Sequence, residues 1–227
     1  MIANVATVIP SKDKYHPRLL AALPAIQRVA EALDAGKLFL AGDYLTLKQL
    51  LTKYPNGVYT FPFYSAEHCA GIVGDLADLS YDVNNEEPHE AQIRECVLEH
   101  ECVPMYNCAA VLWQAVCPAL ALILWNVEPE TIASIQAAKY TPETTAGTDW
   151  HTDSSSDVTL VVALTDTHSG GGTGVKPGLF AGDDFEVPAL PIGHAMFFLG
   201  RTTLHKGLPV TSGERNLLVH WTNLAKE

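Results

Sequence analysis

The chain has 227 residues and a mass of 24.6 kDa, with 48% hydrophobic and 18% charged residues. That content fills a real core and excludes wholesale disorder, and the length suits one domain with a modest extension rather than two full domains. A net charge of −12 disfavours nucleic acid as a partner, because grip on a phosphate backbone runs on clustered Lys and Arg.

Residues 17–35 carry Leu19, Leu20, Leu23, Ile26, Val29, Ala30 and Leu33 at helical spacing, which predicts a helix. Pro24 is expected to bend or split it, and Gly36 to stop it. A second short helix is predicted over 45–54, ended by Pro55-Asn56-Gly57. Residues 1–56 therefore read as a helical extension.

Residues 58–63 are rich in β-branched and aromatic side chains and predict a strand. Ser65 is placed to cap a helix over 66–79. Residues 82–95 are polar and acidic and read as a loop or short helix. A helix is expected over 109–125, with Pro118 an awkward interior residue. Beyond Glu130 short apolar runs at 132–140, 158–164, 195–199 and 216–222 alternate with Gly, Pro, Ser and Asp clusters. Several short strands with turns between them predict an all-β sandwich or barrel.

No apolar run approaches the roughly 20 residues that cross a bilayer. Residues 1–20 show no basic stretch followed by an apolar one, so no secretory signal is read. A cytoplasmic protein with no membrane partner is expected. The five cysteines are odd in number and contain no C-x-x-C, which predicts reduced thiols rather than a disulfide framework or a zinc knuckle.

The sharpest feature is Trp150-His151-Thr152-Asp153. In an extended segment residues two apart share a face, so His151 and Asp153 converge. They are two-thirds of a 2-His-1-carboxylate triad, which holds Fe(II) and leaves open positions. The pair alone is a weak signal. His205 is the candidate third ligand, and Arg215 follows ten residues later at the head of an apolar run. A buried arginine in an apolar barrel needs an anion. A dicarboxylate with one end on the metal and the other on the guanidinium satisfies it. Taken singly, His205 reads more readily as an ordinary core or surface histidine and Arg215 as a surface ion-pair partner; their order and spacing together favour the metal reading.

These residues resemble the iron- and 2-oxoglutarate-dependent dioxygenases, in the prolyl/lysyl hydroxylase branch, and most of all the catalytic domain of procollagen lysyl hydroxylases. The segments carrying the resemblance are GVYTFPFYSAEHC, CVPMYN, WHTDSSSDVTLVVAL, SGGGT and HKGLPVTSGERNLLVHW. They span about residues 58–224 and leave the first 56 uncovered. Asn107 stands where the family usually has Asp, the segment from Gly200 to His205 is one residue shorter, and residues 141–149 are Gly/Thr-rich where the family lines its substrate.

The resemblance implies a double-stranded β-helix, the jelly-roll barrel of the cupin type, over 57–227, with flanking helices and the helical extension over 1–56. It implies Fe(II) on His151, Asp153 and His205, and 2-oxoglutarate paired with Arg215. Tyr140, eleven residues before His151, matches a tyrosine at the mouth of the cosubstrate pocket. Thr203, near the third ligand, is a further candidate for holding cosubstrate. The implied reaction consumes O2, releases succinate and CO2 and hydroxylates a C–H bond, with ascorbate a candidate reductant. The implied substrate is a lysyl or prolyl side chain of a peptide, or a small amino-acid-like molecule. Two other readings stay open: a non-catalytic metal- or ligand-binding jelly-roll sensor, and a cupin-type enzyme using another metal. The sequence leaves the oligomeric state open. His168, His194 and His220 read as ordinary, with His220 a minor candidate to face the pocket. Gly170, Gly171 and Gly172 read as a tight hairpin, Asp183 and Asp184 as solvated loop charges, and Trp221 and Phe197 as core.

Overall fold

A computed structural model describes residues 11–83, 92–178 and 184–225. Helices α1 (Pro17–Asp34) and α2 (Ala41–Leu50) come first, followed by strands β1 (Thr52–Lys53) and β2 (Tyr59–Pro62). Helix α3 (Ala66–Leu76), β3 (Asp82–Val83), β4 (Arg94–Val97) and helices α4 (Leu98–Glu101), α5 (Val103–Gln114) and α6 (Cys117–Trp125) follow. The remainder is β: β5 (Pro129–Tyr140), β6 (Val158–Ala163), β7 (Ser169–Gly170), β8 (Thr173–Val175), β9 (Phe185–Val187), β10 (His194–Phe198), β11 (His205–Gly207), β12 (Val210–Ser212) and β13 (Arg215–Leu224).

Eight strands form one sheet in the order β1-β2-β10-β6-β13-β5-β4-β3, every pair antiparallel. Smaller antiparallel sheets, β11-β8-β9 and β12-β7, complete a double-stranded β-helix. Each central strand of the large sheet divides its side chains by parity. Leu160, Val162, Ala195, Phe197, Ile135, Ala137 and Leu218 join one core with the buried faces of α1, α3, α5 and α6. The opposite parity, including Ala138, Tyr140, Ala163 and Leu217, forms a second cluster on the other face. A cavity opens on that second face.

Side-chain caps set the starts of α1 and α3. His16 caps α1 by accepting from the Arg18 N–H at 3.1 Å, with Pro17 in the first turn. Ser65 caps α3 by accepting from the His68 N–H at 3.2 Å. Asp43, buried on α2, takes a fork of bonds from Arg28 on α1, at 3.0 and 2.5 Å.

Pro24 does not break α1, which runs unbroken for 18 residues. An interior proline costs a helix about 3 kcal/mol. Pro24 faces solvent, while Leu19, Ala22, Leu23, Ile26, Val29 and Ala30 are buried on the other side. Fully burying one Leu or Ile stabilises by about 1.5–3 kcal/mol, so packing outweighs the proline. The helix expected over 109–125 is instead α5 and α6, bent by 42°. Pro118 lies in the first turn of α6, where its missing N–H has no partner to lose. The stretch read as a loop or short helix over 82–95 holds β3 and the start of β4, and residues 84–91 lie outside the described residues. All five cysteines are free thiols. Among the described residues no single helix is long and apolar enough to cross a membrane.

Candidate active site

The cavity, about 300 Å³, lies between the large sheet and the small sheet containing β11. His151 and His205 face each other across a narrow antiparallel bridge, with N–H to carbonyl bonds of 2.9 and 2.8 Å in the two directions. That pairing sets their rings 4.4 Å apart. Asp153, two residues on, joins them, as extended alternation requires. One ligand atom from each of the three lies within 4.8 Å of the others. His205 Nε2 is 3.8 Å from Asp153 Oδ1.

Each ligand candidate is oriented from behind. The Nδ1 of His151 lies 2.8 Å from the Asp149 carbonyl, and the Nδ1 of His205 lies 2.9 Å from the Thr203 carbonyl. A carbonyl only accepts, so each Nδ1 carries a proton, and in the neutral ring that tautomer leaves the Nε2 lone pair for the cluster. Burial, and then the neighbouring His205, lower the pKa of His151 and favour the neutral form a metal needs. Asp153 Oδ2 accepts from the Thr159 hydroxyl at 2.6 Å.

Arg215 lies in the same cavity and is 4% exposed. Nη1 donates to the Gly172 carbonyl at 3.0 Å. Its cross-strand partner is Tyr140, whose ring centre is 5.5 Å from the guanidinium carbon. Among the described residues Arg215 makes no ion pair, and burial lowers its pKa. Gly170, Gly171 and Gly172 all have positive φ, of 73°, 79° and 96°, in the hairpin that turns this carbonyl inward. A Cβ on Gly172 would meet the Val187 carbonyl at 2.8 Å, so the turn admits no side chain there.

His151, Asp153, His205, Arg215 and Tyr140 thus share one cavity. Thr203 is buried but does not line it; its contribution is the carbonyl that holds His205. His220 also stays outside, on the opposite parity of β13 and fully buried in the core. Trp221, read from sequence as core, lines the cavity, because it shares parity with Arg215. Asp184 is exposed, and Asp183 lies outside the described residues.

The sequence reading missed Thr159, Gln136, Glu95 and Thr148, all of which line the cavity. Parity was the available signal for Gln136, which follows Tyr140 onto the cavity side of β5.

No protein-family model matches the chain, and no curated protein does. Solved structures do match its fold. A prolyl hydroxylase from Trichoplax adhaerens, in complex with a peptide fragment of hypoxia inducible factor, aligns over 90% of this chain and 91% of its own, with a TM-score of 0.59 and 13% identity. A 2OG-Fe(II) oxygenase family oxidoreductase from Burkholderia pseudomallei aligns over 74% and 85%, with a TM-score of 0.57 and 16% identity. A prolyl-4-hydroxylase from Pseudomonas putida aligns over 75% and 94%, with a TM-score of 0.53 and 20% identity. The fold is therefore the jelly-roll of the 2OG-Fe(II) oxygenases.

Proposed function

We propose that the chain is an Fe(II)- and 2-oxoglutarate-dependent oxygenase that hydroxylates a C–H bond. The observation that carries this is the presence in one cavity of the His151–Asp153–His205 cluster and the buried cation Arg215. Two neutral imidazoles and a carboxylate suit Fe(II), and three protein ligands leave positions for other molecules. The ion and cosubstrate, when bound, supply the oxygen-activating chemistry.

The chain's own residues bind, orient and exclude water. The two Nδ1–H bonds hold the imidazoles with Nε2 inward. Arg215 would receive the distal carboxylate of 2-oxoglutarate, and the Gly172 carbonyl holds the guanidinium in place through Nη1. Tyr140 flanks that carboxylate from the neighbouring strand. Val161, Leu217, Val219 and Trp221 form an apolar wall that keeps bulk water from the reacting carbon.

The substrate in this reading is a lysyl or prolyl side chain of a peptide, or a small amino-acid-like molecule. Support comes from the fold shared with prolyl hydroxylases, one of them holding a peptide, and from the segments resembling lysyl hydroxylases. The test is an anaerobic titration of metal-free protein with Fe(II), with and without 2-oxoglutarate, followed by the visible charge-transfer band. A band that needs both components and weakens in Arg215→Ala supports the proposal. Tight metal binding with no band overturns it and leaves a metal-binding jelly-roll of another kind. A positive result leads to a succinate-release screen over lysyl peptides, prolyl peptides and free amino acids.

A further inference from the structure

The segment between Asp153 and Thr159 is wired more densely than a turn requires. Thr159 Oγ1 donates to Asp153 Oδ2 at 2.6 Å and lies 3.0 Å from Ser156 Oγ. Ser156 Oγ accepts from the Thr222 N–H at 3.1 Å. Its own proton has two acceptors within 3.0 Å, the Val158 carbonyl and Thr159 Oγ1. The Val158 carbonyl already takes the Thr222 hydroxyl at 2.6 Å. Thr159 has one proton, and a metal-binding carboxylate is ionised and only accepts. With the Thr159 proton on Asp153, Ser156 accepts the Thr222 N–H and donates to the Val158 carbonyl or to Thr159 Oγ1; either choice satisfies every group and leaves Asp153 Oδ2 as the acceptor of the Thr159 proton. Ser156, Thr159 and Thr222 are all fully buried.

The approach to this relay is kept clear by Gly200. The Asp153 N–H donates to the Gly200 carbonyl at 3.1 Å, and the Gly200 N–H donates to the Asp157 carbonyl at 3.1 Å. A Cβ on Gly200 would collide with the Ser156 carbonyl, lie 2.6 Å from Thr159 Oγ1 and 3.1 Å from Asp153 Cβ. The next residue, Arg201, clamps the outside of the loop through Asp157 at 2.6 Å and the Ser154 carbonyl. Asp157 in turn accepts from the Leu224 N–H at 3.0 Å.

We infer that Thr159 is a positioning residue that reserves Asp153 Oδ2 and presents Oδ1 alone to the metal. The inference deepens the proposed function and rests on its reading of Asp153 as a ligand. A carboxylate has two oxygens and can grip an ion with one or both. Oδ1 is the oxygen 3.8 Å from His205 Nε2, and Oδ2 is committed to Thr159. A one-oxygen grip would leave the ion more room for cosubstrate and O2 than a two-oxygen grip would.

The experiment is a titration of metal-free protein with Co(II), read by its visible absorption, on wild type, Thr159→Val and Thr159→Ser. Valine keeps the shape and removes the donor; serine restores the donor. The expected result for valine is an altered band shape and roughly 10–100-fold weaker binding, the usual cost of removing a group behind a metal ligand. Serine should return both to near wild type, with thermal midpoints of all three compared by circular dichroism. If Thr159→Val does not fold, Thr159→Ala takes its place. Wild-type affinity and spectrum in the valine or alanine variant overturn the inference, as does a serine variant no better than valine. Addition of 2-oxoglutarate to Fe(II)-loaded wild type separates the two claims. No cosubstrate band with Co(II) spectra that still depend on the Thr159 hydroxyl defeats the oxygenase reading alone. A wild type that binds no metal defeats both.

Discussion

Replacing Arg215 by methionine should move two measurable quantities in opposite directions. In the metal-free, cosubstrate-free protein the guanidinium is 4% exposed, bonded only to the Gly172 carbonyl among the described residues, and its pKa is pulled down by burial. A buried charge so sparsely compensated opposes folding. Replacing buried ionic groups with apolar ones of similar volume is commonly neutral or stabilising, by about 1–4 kcal/mol. Urea unfolding of the ligand-free protein should therefore find Arg215→Met as stable as wild type, or more stable by up to that amount. The same change should cripple cosubstrate binding. A fork of two charge-assisted hydrogen bonds contributes about 1.5–3 kcal/mol each, so its loss weakens 2-oxoglutarate binding roughly 10²–10⁴-fold. Calorimetric titration of 2-oxoglutarate into metal-loaded protein reads that number. A ligand-free variant clearly less stable than wild type would refute the reasoning, because the guanidinium would then belong to a satisfied structural network. A change in 2-oxoglutarate affinity below threefold would refute it independently.

Two further predictions concern the core. Burial pushes the pKa of His220 down to about 3, against about 6.5 in an unfolded chain. Between those values the unfolded state binds a proton that the folded state does not, so His220 costs stability as pH falls below 6.5. From pH 7.5 to 5 that cost grows to about 2 kcal/mol. Urea midpoints of wild type and His220→Leu at both pH values should show wild type losing that much more; parallel losses would mean the ring already has a compensating partner. The thiols should divide by burial. Burial raises Cys69 to about 12 and Cys96 to about 11, and Cys117 well above its ordinary value. Only Cys102 and Cys108 are half-buried. Native protein should therefore react with a thiol-specific disulfide reagent at Cys102 and Cys108 in minutes and at the other three only on unfolding. Prompt reaction of all five would show that the helical layer opens readily.

The convergence of His151 and Asp153 was legible because a strand forces residues two apart onto one face, which makes H-x-D readable without a fold. Arg215 was legible because a cation at the head of an apolar strand demands an explanation. Pro24 misled because helix propensity is local, whereas the decision was made by side chains contacting α2, α6 and the sheet. The strands β8 and β11 have three residues each, too few for any period to emerge, and they exist because the larger sheet gives them something to close against. Thr159 was hidden in VTLVVA, which reads as a uniformly buried strand. Its hydroxyl acquires meaning only when Asp153 is brought back over it by the turn at 154–157. Trp221 was assigned to the core because nothing local states which parity of β13 is the cavity side. Arg215 carries that information, but only once the strand is known to run unbroken from Arg215 to Leu224.

Strand β13 keeps its two populations of side chains apart. Arg215, Leu217, Val219 and Trp221 meet the cavity, while Leu218, His220 and Thr222 are sealed on the other side. Substitutions at 217, 219 and 221 can reshape what the cavity admits while the helix-covered core remains undisturbed. Insertion or deletion of a single residue has no such freedom, since it exchanges the two populations at once and drives a guanidinium into the core. Along this strand, then, new specificity is open to point mutation and closed to changes of length.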